Sequence, residues 1–305
     1  MLGAGNDSQR TRRLLLAFGL TAITLVVEAL GGWLSGSLAL FADAGHMLVD
    51  AGALLFAWLG ASYARRPADA RRSFGYARLE VLVGYSNALV QFVLVAWIAS
   101  EAMMRIFTPA PILSGMMLVV ALIGLAVNAI VLGVLGTHDH DDVNTAAARL
   151  HVIGDLFGSL GAVGAALVIR FFEWLWADAA ISILVSLLIL NSAWRLLRRC
   201  AHILLEGVPE GAEVDMVAAA LENEIDSVSD VHHVHVWQLA GGSRIATLHA
   251  RLTTNSSAEA AIVAMQRVLR AKFGIAHATV QIEGVDCVQV DCGRFNNANQ
   301  PEPGR

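Results

Sequence analysis

Two histidine–aspartate pairs are the residues of this 305-residue chain whose types and spacing could do chemistry inside its apolar segments. His46 precedes Asp50 by four positions, and His151 precedes Asp155 by four positions. Residues four apart lie on one face of a helix, one turn from each other. Each segment can therefore present one imidazole and one carboxylate to a common point.

Two imidazoles and two carboxylates would together suit a divalent cation. They offer four donor atoms and two negative charges, and Zn²⁺ binds tetrahedrally to nitrogen and oxygen ligands of these types. A single such pair is more often a local hydrogen-bonded contact between helices. Two copies favour a shared metal site, because an ionisable residue near the bilayer centre costs ~2.5–3.5 kcal/mol. Asp43, three residues before His46, stays outside the predicted ligand set, as a fifth polar group or a partner of the histidine.

The composition predicts that membrane-spanning helices position these residues. Hydrophobic residues make up 56% of the chain and charged residues 15%, and the mean hydropathy is +0.59. These values argue against an ordinary soluble globule, which has about 25% charged residues. Six apolar stretches are each near the ~20 residues that a helix needs to cross a bilayer. They cover residues 14–34, 37–63, 79–106, 111–136, 145–170 and 174–195.

The arginines that flank these stretches predict the orientation of the chain. If the N-terminus is inside, twelve flanking arginines fall on the inner side, whereas only Arg105 and Arg170 fall outside. Short cytoplasmic flanks carry an excess of Lys and Arg. Both termini are therefore expected to be cytoplasmic, with the lipid bilayer as the surroundings of the first 200 residues.

Charge and cysteine content argue against two further classes of protein. The formal net charge is -5, and the basic residues are not clustered as a nucleic-acid-binding face requires. The three cysteines, Cys200, Cys287 and Cys292, are an odd number without a dense framework. This pattern argues against a disulfide-stapled secreted domain, and we expect no nucleic-acid partner.

From about residue 200 the composition becomes that of a soluble domain with the element order αββαβ. Ser256 and Glu259 have the spacing of a capping box at the start of a helix, and Gly274 is expected to end that helix. The order predicts one sheet with helices on one face. The expected elements are a helix over 213–226, strands over 231–239 and 244–252, a helix over 256–273 and a strand over 277–284.

We expect four parts along the chain. Residues 1–13 are a cytoplasmic N-terminal segment, and residues 14–199 are a membrane domain of six helices. Residues 200–292 form a cytoplasmic α+β domain. Residues 293–305 are rich in Asn, Pro and Gly, a composition typical of disorder.

Five segments resemble the cation diffusion facilitator family, most closely its bacterial zinc-exporting branch. The resemblance covers nearly the whole chain and implies a homodimer of six-helix protomers with a cytoplasmic ferredoxin-like domain, which exchanges cytoplasmic zinc for protons across a bacterial inner membrane. It also implies that His46, Asp50, His151 and Asp155 form the transport site. The segments are FADAGHMLVD (41–50), RRSFGYARLE (71–80), NTAAARLHVIGDLFGSLG (144–161), VHHVHVWQL (231–239) and HATVQIE (277–283).

A second, regulatory zinc site is a candidate in the C-terminal part of the chain, since imidazole, carboxylate and thiolate groups bind zinc. The candidate ligands are His232, His249, Glu283, Cys287 and Cys292. By position, the resemblance favours the two histidines and the glutamate. Because alternate strand residues face opposite sides, His232 is expected on one face and His233 and His235 on the other. The alternative is a histidine-rich, half-exposed strand without a metal.

Three smaller sets of residues remain open. His138 and His140 lie in the loop 137–142, which either raises the zinc concentration near the entrance or is a solvated turn. The resemblance implies that Arg78 and Glu206 pair near the dimer interface, although Arg78 is equally explained as an inner-side anchor. Four further polar residues within the spans are expected to form interhelical hydrogen bonds rather than to bind metal. They are Glu28, Asn87, Gln91 and Asn128.

Two other functions would use some of the same residues. His46 and His151 could be the axial ligands of a haem in a membrane redox protein, but an aspartate one turn from each histidine has no purpose there. A zinc hydrolase needs an open coordination position, and four ligands would close the site. The sequence therefore predicts a transporter rather than an enzyme. Donors of this kind do not rank Zn²⁺ against Cd²⁺, Co²⁺ or Ni²⁺.

Overall fold

The computed structural model describes most of the chain, with short gaps. The described residues are 4–64, 69–76, 78–135, 143–239, 242–254 and 256–284. Within these ranges, residues 4–18, 53–64, 134–135 and 143–151 are described by their backbone alone. The chain forms two compact units. One comprises Met1–Phe56 and Ser86–Leu197, and the other comprises Ala57–Tyr85 and Arg198–Arg305.

Six long helices correspond in order to the six predicted apolar stretches. They are α1 (Ala4–Ser35), α2 (Leu38–Ala64), α3 (Leu79–Phe107), α4 (Ser114–Leu135), α5 (Val143–Phe172) and α6 (Trp176–Leu204). Among the described residues, α3, α4, α5 and α6 each contain a segment long and apolar enough to cross a membrane, and α1 adds a shorter apolar stretch, Gly19–Ser35. α1, α5 and the C-terminal end of α6 extend beyond their predicted apolar stretches, because hydropathy marks only the part of a helix that suits lipid. α4 is instead shorter than its predicted stretch, 111–136.

Small residues form much of the interior of the membrane domain. Ala121 of α4 and Ala162, Ala165 and Ala166 of α5 are buried in one apolar cluster with Met117. Helices of membrane proteins pack through such residues, since short side chains allow the backbones to approach closely. The packing brings α4 against both α1 and α5.

The C-terminal domain is a three-stranded sheet with two helices. Its elements are α7 (Val214–Glu224), β1 (Val228–Gln238), β2 (Arg244–Leu252), α8 (Ala258–Phe273) and β3 (Ile275–Glu283). β2 is the central strand, antiparallel to β1 and parallel to β3. The predicted order αββαβ is confirmed.

The domain is held together by apolar residues at helical spacing. Val217 and Leu221 of α7 are fully buried, as are Met265 and Leu269 of α8. These residues recur every three or four positions, so each helix presents one apolar stripe. Both stripes belong to the same core as the strand residues that face them, such as Val236.

The cap of α8 differs from the predicted one. Ser257, not Ser256, is the N-cap, and its hydroxyl accepts a hydrogen bond from the Ala260 amide at 3.4 Å. Glu259 is therefore the second helical residue rather than the third, and the predicted capping box is wrong. The Ser256 hydroxyl instead forms a hydrogen bond with the Thr253 hydroxyl at 2.8 Å, so Ser256 does not cap the helix. The predicted stop is confirmed, since Gly274 has φ +64°, a conformation that glycine adopts without strain.

Candidate functional site

α2 presents the first predicted pair on one face. His46 Nε2 lies 3.6 Å from Asp50 Oδ2, and the two side chains are 15% and 24% exposed. Asp50 also accepts a hydrogen bond from the side-chain amide of Gln91 on α3. This amide orients the carboxylate, so that Asp50 is held from two sides.

α5 carries the second predicted pair. Asp155 is buried, with 3% of its surface exposed. His151 lies one turn earlier on the helical backbone of α5, and its side chain is outside the described part of the structure. The position of the fourth predicted ligand therefore follows from the helix alone.

A cavity of about 120 Å³ brings residues of the two pairs together. His46 and Asp43 of α2 and Asp155 of α5 line it, and Ser192 of α6 contributes a hydroxyl group. Gly158 of α5 faces Asp43, and a Cβ atom at this position would lie only 3.3 Å from Asp43 Oδ1. Helices α2 and α5 therefore meet where a cavity with polar lining residues opens inside the apolar domain. This cavity is large enough for an ion.

Two polar residues of the spans make the interhelical contacts expected of them. Gln91 of α3 binds Asp50 of α2, and Asn128 of α4 donates to the Ser159 hydroxyl of α5 at 3.2 Å. Glu28 of α1 differs from these two amide side chains in its partner, because its carboxyl group lies against another carboxyl group, that of Asp43. Asp43 is thus not a peripheral group. It is 5% exposed and lines the cavity together with His46.

Asp178, near the start of α6, is a functional residue that the sequence did not predict. Its side chain is fully buried and accepts hydrogen bonds from the Ser37 hydroxyl at 2.6 Å and from the backbone amide of Leu38 at 2.7 Å. The amide of Ala39 also donates to it, at 3.2 Å. Asp178 therefore caps the N-terminus of α2 from another helix and restrains the helix that carries His46. The signal was an aspartate inside an apolar stretch, which needs buried partners.

Three of the predicted ligands of the C-terminal domain lie together. His232 and His249 are directly opposite each other on β1 and β2. His232 Nε2 lies 3.0 Å from Glu283 Oε2, and His249 Nδ1 lies 2.9 Å from Glu283 Oε1. One ligand atom from each of the three residues lies within 4.8 Å of the others. Two imidazoles and a carboxylate at this separation are compatible with three of the four ligands of a tetrahedral zinc site.

Neighbouring groups set the ionisation of this cluster. Burial lowers the pKa of His249, and His233 and His232 lower it further, against the opposing effect of the Glu283 carboxylate. Burial raises the pKa of Glu283, but the hydrogen bond from His232 and the charge of His249 outweigh it and hold this pKa below its ordinary value. Neutral imidazole and ionised carboxylate are the forms that bind metal.

The hydrogen-bonding partners of the cluster orient its side chains. Asp230 Oδ2 lies 2.9 Å from His232 Nδ1, and the Gln281 amide donates to Glu283 Oε1 at 2.8 Å. Carboxylate and amide groups in these positions fix the ring and carboxylate orientations of metal ligands. Neither residue was among the predicted ligands, although each lies two positions before one of them.

The expected alternation of β1 fails at its histidines. The register shifts between His232 and His235, and His233 has φ +51°. Such an irregularity inserts an extra residue and breaks the alternation of side chains. The rings of His233 and His249 lie 4.7 Å apart, close to the cluster that contains His232. The prediction that His233 points away from that cluster is therefore wrong.

The other predicted residues are placed as follows. Arg78 lies just before α3, and Glu206 lies just after α6. The Arg78 guanidinium donates a hydrogen bond to Glu206 Oε1 at 2.6 Å. Both are half-exposed side chains of the second compact unit. The remaining candidates lie outside the described residues, and they are His138, His140, Cys287 and Cys292.

Comparisons with known proteins identify the family. A model of the cation efflux transmembrane domain matches residues 14–205, and one of the cation efflux protein cytoplasmic domain matches residues 209–285. The zinc transporter ZitB of Escherichia coli (strain K12) is 44% identical over 287 residues, which cover 94% of this chain and 91% of that protein. The metal cation efflux system protein CzcD of Cupriavidus metallidurans is 38% identical over 306 residues, 98% of this chain and 96% of that protein. A cadmium, cobalt and zinc/H(+)-K(+) antiporter of Bacillus velezensis is 34% identical over 285 residues, 92% of this chain and 90% of that protein. The chain therefore belongs to the cation efflux family, that is, to the cation diffusion facilitators whose motifs it carries.

Proposed function

We propose that this protein exports zinc from the cytoplasm in exchange for protons, and that Cd²⁺, Co²⁺ or Ni²⁺ can replace zinc. The observation that carries the proposal is the cavity in which His46 of α2 and Asp155 of α5 meet inside an apolar helical domain. The relatives named above support it, since they are named for the transport or efflux of zinc and similar metals. They give no support to a haem protein or an enzyme.

The proposed transport site comprises His46, Asp50, His151 and Asp155. The contact between His46 and Asp50 and the burial of Asp155 in the shared cavity support three of these ligands. The spacing of His151 from Asp155 on one helix supports the fourth. Two carboxylates neutralise a divalent ion, and the imidazoles complete a tetrahedral set of donors.

The same groups provide the exchange of metal for protons. Imidazole changes its charge in the physiological pH range, and a metal can bind only after its ligands have released their protons. In the proposed cycle, zinc binds from the cytoplasmic side, and protons displace it on the outer side. The protonated site then returns to the inner side. This sequence is alternating access.

Zinc uptake into inverted membrane vesicles tests this function. With an outward-directed proton gradient we expect uptake by the wild type and loss of uptake in Asp50→Ala and Asp155→Ala, because each change removes one ligand charge. Ser192→Ala, which alters the same cavity without removing a charge, should retain uptake. Equal uptake by all four proteins, each verified in the membrane, would refute the site. Uptake that does not respond to the gradient would refute the exchange of zinc for protons.

We further propose that His232, His249 and Glu283 bind a regulatory zinc ion in the C-terminal domain. The mutual distances of their ligand atoms and the orienting contacts of Asp230 support this set. Cys287 or Cys292, which follow β3 in the chain, would supply the remaining ligand. In the wild type, zinc bound per protomer should exceed that in Glu283→Gln by about one ion. His277→Gln changes a β3 histidine whose ring instead contacts Phe74, so it should bind as the wild type does. Equal stoichiometry in Glu283→Gln would contradict the site.

The arrangement in the cell is also a proposal. We propose a homodimer in a bacterial inner membrane with both termini in the cytoplasm, a membrane domain over 14–199, a cytoplasmic domain over 200–292 and a disordered tail over 293–305. The arginine distribution supports the orientation. We assign the pair Arg78–Glu206 to the region of the dimer interface, and His138 and His140 to the recruitment of zinc.

A further inference from the structure

Glu28 is a buried carboxyl group that the proposed ligand set does not use. It lies in the apolar part of α1, and its side chain is fully buried. No N–H or O–H group of the described residues donates a hydrogen bond to either of its oxygens. An ionisable residue within a membrane helix costs ~2.5–3.5 kcal/mol and faces the interior of the bundle when it has a function. Glu28 therefore requires an explanation other than packing.

The partner of Glu28 is a second carboxyl group. The side chains of Glu28 and Asp43 meet between α1 and α2. Gly124 of α4 provides the space, since a Cβ atom there would overlap Glu28 Oε1. An ionised carboxylate can only accept hydrogen bonds, so two carboxyl groups in contact need a proton between them. Two like charges side by side in a buried site also do not ionise together.

Within the described part of the chain, the charged groups that act on Glu28 are acidic, so none of them replaces that proton. The acidic groups that act on Glu28 from neighbouring helices are Asp43 of α2 and Asp155 of α5. The described part of α4 contains no charged side chain. The titratable group nearest along α2 is His46, which lines the cavity together with Asp43. A proton is therefore the cation that fits between Glu28 and Asp43.

We propose that Glu28 and Asp43 share one proton and carry it as a counter-ion of metal transport. This inference rests on the proposed function and names the residues that hold the proton. Asp43 faces the cavity that holds His46 and Asp155, whereas Glu28 lies behind it. A divalent ion in the cavity adds positive charge beside Asp43 and repels the shared proton. The proton leaves through the cavity as H⁺, both carboxyl groups become carboxylates, and the pair takes up a proton again when the metal departs. No other bond forms or breaks.

Proton release on zinc binding tests this proposal with the full-length protein. ZnCl₂ is added to the purified protein in detergent at neutral pH and low buffer concentration, and bound zinc and released protons are both counted. Glu28→Gln and Asp43→Asn should each release about one proton fewer per protomer than the wild type when the same amount of zinc is bound, since metal binding displaces protons from the groups it affects. Glu101→Gln is the matched control, because Glu101 is a membrane-domain glutamate that is already paired with Arg105. It should release as many protons as the wild type.

The outcomes separate this proposal from the proposed function. If the wild type binds no zinc, both are overturned. If Glu28→Gln binds zinc and releases as many protons as the wild type, the shared proton is overturned and the transport site stands. Should neither variant fold, infrared difference spectra of the wild type decide. Loss of a protonated carboxylic acid band when zinc is added supports the proposal, and the absence of such a band before zinc overturns it.

Discussion

The orientation of Asp50 depends on a residue outside the proposed ligand set. Gln91 donates a hydrogen bond to its carboxylate, so Gln91→Met removes one of the contacts that hold this carboxylate beside His46. Loss of such a partner typically weakens metal affinity by about 10–100-fold. Zinc titration calorimetry of the purified protein measures this change. Ser100→Ala on the same helix is the control, because that hydroxyl donates to the Trp97 carbonyl of its own helix. Equal affinities for Gln91→Met and the wild type would contradict the prediction.

Gly124 is required for the packing of Glu28. In Gly124→Ala the new methyl group would overlap Glu28 Oε1, and overpacking of an interior typically costs about 1–3 kcal/mol. Thermal unfolding in detergent should therefore occur at a lower temperature. In Gly133→Ala, in the same helix, the new methyl group meets none of the described atoms within 4 Å, and this variant should unfold at or above the wild-type temperature. If both variants unfold like the wild type, Glu28 does not occupy the position described.

The residues of the site were predictable only as types and spacings. The spacing of His46 from Asp50 places both on one face of a helix, and this is confirmed. The sequence does not tell which helix lies next to that face. Gln91 therefore appeared as a polar residue without an assigned partner and Asp43 only as a neighbour of His46, because their contacts with Asp50 and Glu28 join different helices.

At the scale of elements, the start of α2 depends on α6. The first amides of a helix have no partner within it, and Asp178 accepts from those of Leu38 and Ala39. In Asp178→Ala these buried amides lose their acceptor, at about 1–3 kcal/mol for each unsatisfied group. Hydrogen exchange followed by mass spectrometry should show faster exchange at the start of α2. Ser182→Ala removes a hydroxyl that bonds within α6, to the Asp178 carbonyl, and should leave α2 protected. Unchanged exchange in Asp178→Ala would refute this role.

Element order was predictable, whereas element ends were less so. β2 was predicted with its observed ends, because residues 244–252 include the β-branched Ile245 and Thr247 and follow a glycine turn. The start of α8 was assigned one residue too early, since Ser256 and Ser257 are both acceptable caps. The hydrogen bond between Ser256 and Thr253 decides between them.

At the scale of the whole molecule, the stability of the C-terminal domain depends on pH. Burial, with the charge of His233, lowers the pKa of His235 in the C-terminal domain, and the pKa of His249 is lowered as well. In the unfolded chain these imidazoles regain their ordinary pKa of about 6.5. The stability that these histidines contribute is therefore fully present above about pH 6.5. It is lost as the pH falls through their lower pKa values in the folded domain.

Hydrogen exchange of the metal-free protein measures this dependence. After correction for the intrinsic exchange rate, protection of β1 and β2 should decrease between about pH 7.5 and pH 5.5. His235→Gln should reduce the decrease, because one of the groups that gains a proton on unfolding is then absent. Protection that stays constant over this range would show that the histidines titrate alike in both states.

The sequence alone determined the properties that depend on neighbours along the chain. These are the apolar stretches, the faces of helices, the order αββαβ and the family, since hydropathy and helical spacing act locally. Only the tertiary structure decided which polar groups meet. The contact of Glu28 with Asp43, the cap that Asp178 places on α2 and the bulge that turns His233 towards His249 each join distant segments. Such contacts depend on how whole elements pack, because a buried polar group must find its partner wherever packing brings one within hydrogen-bonding distance.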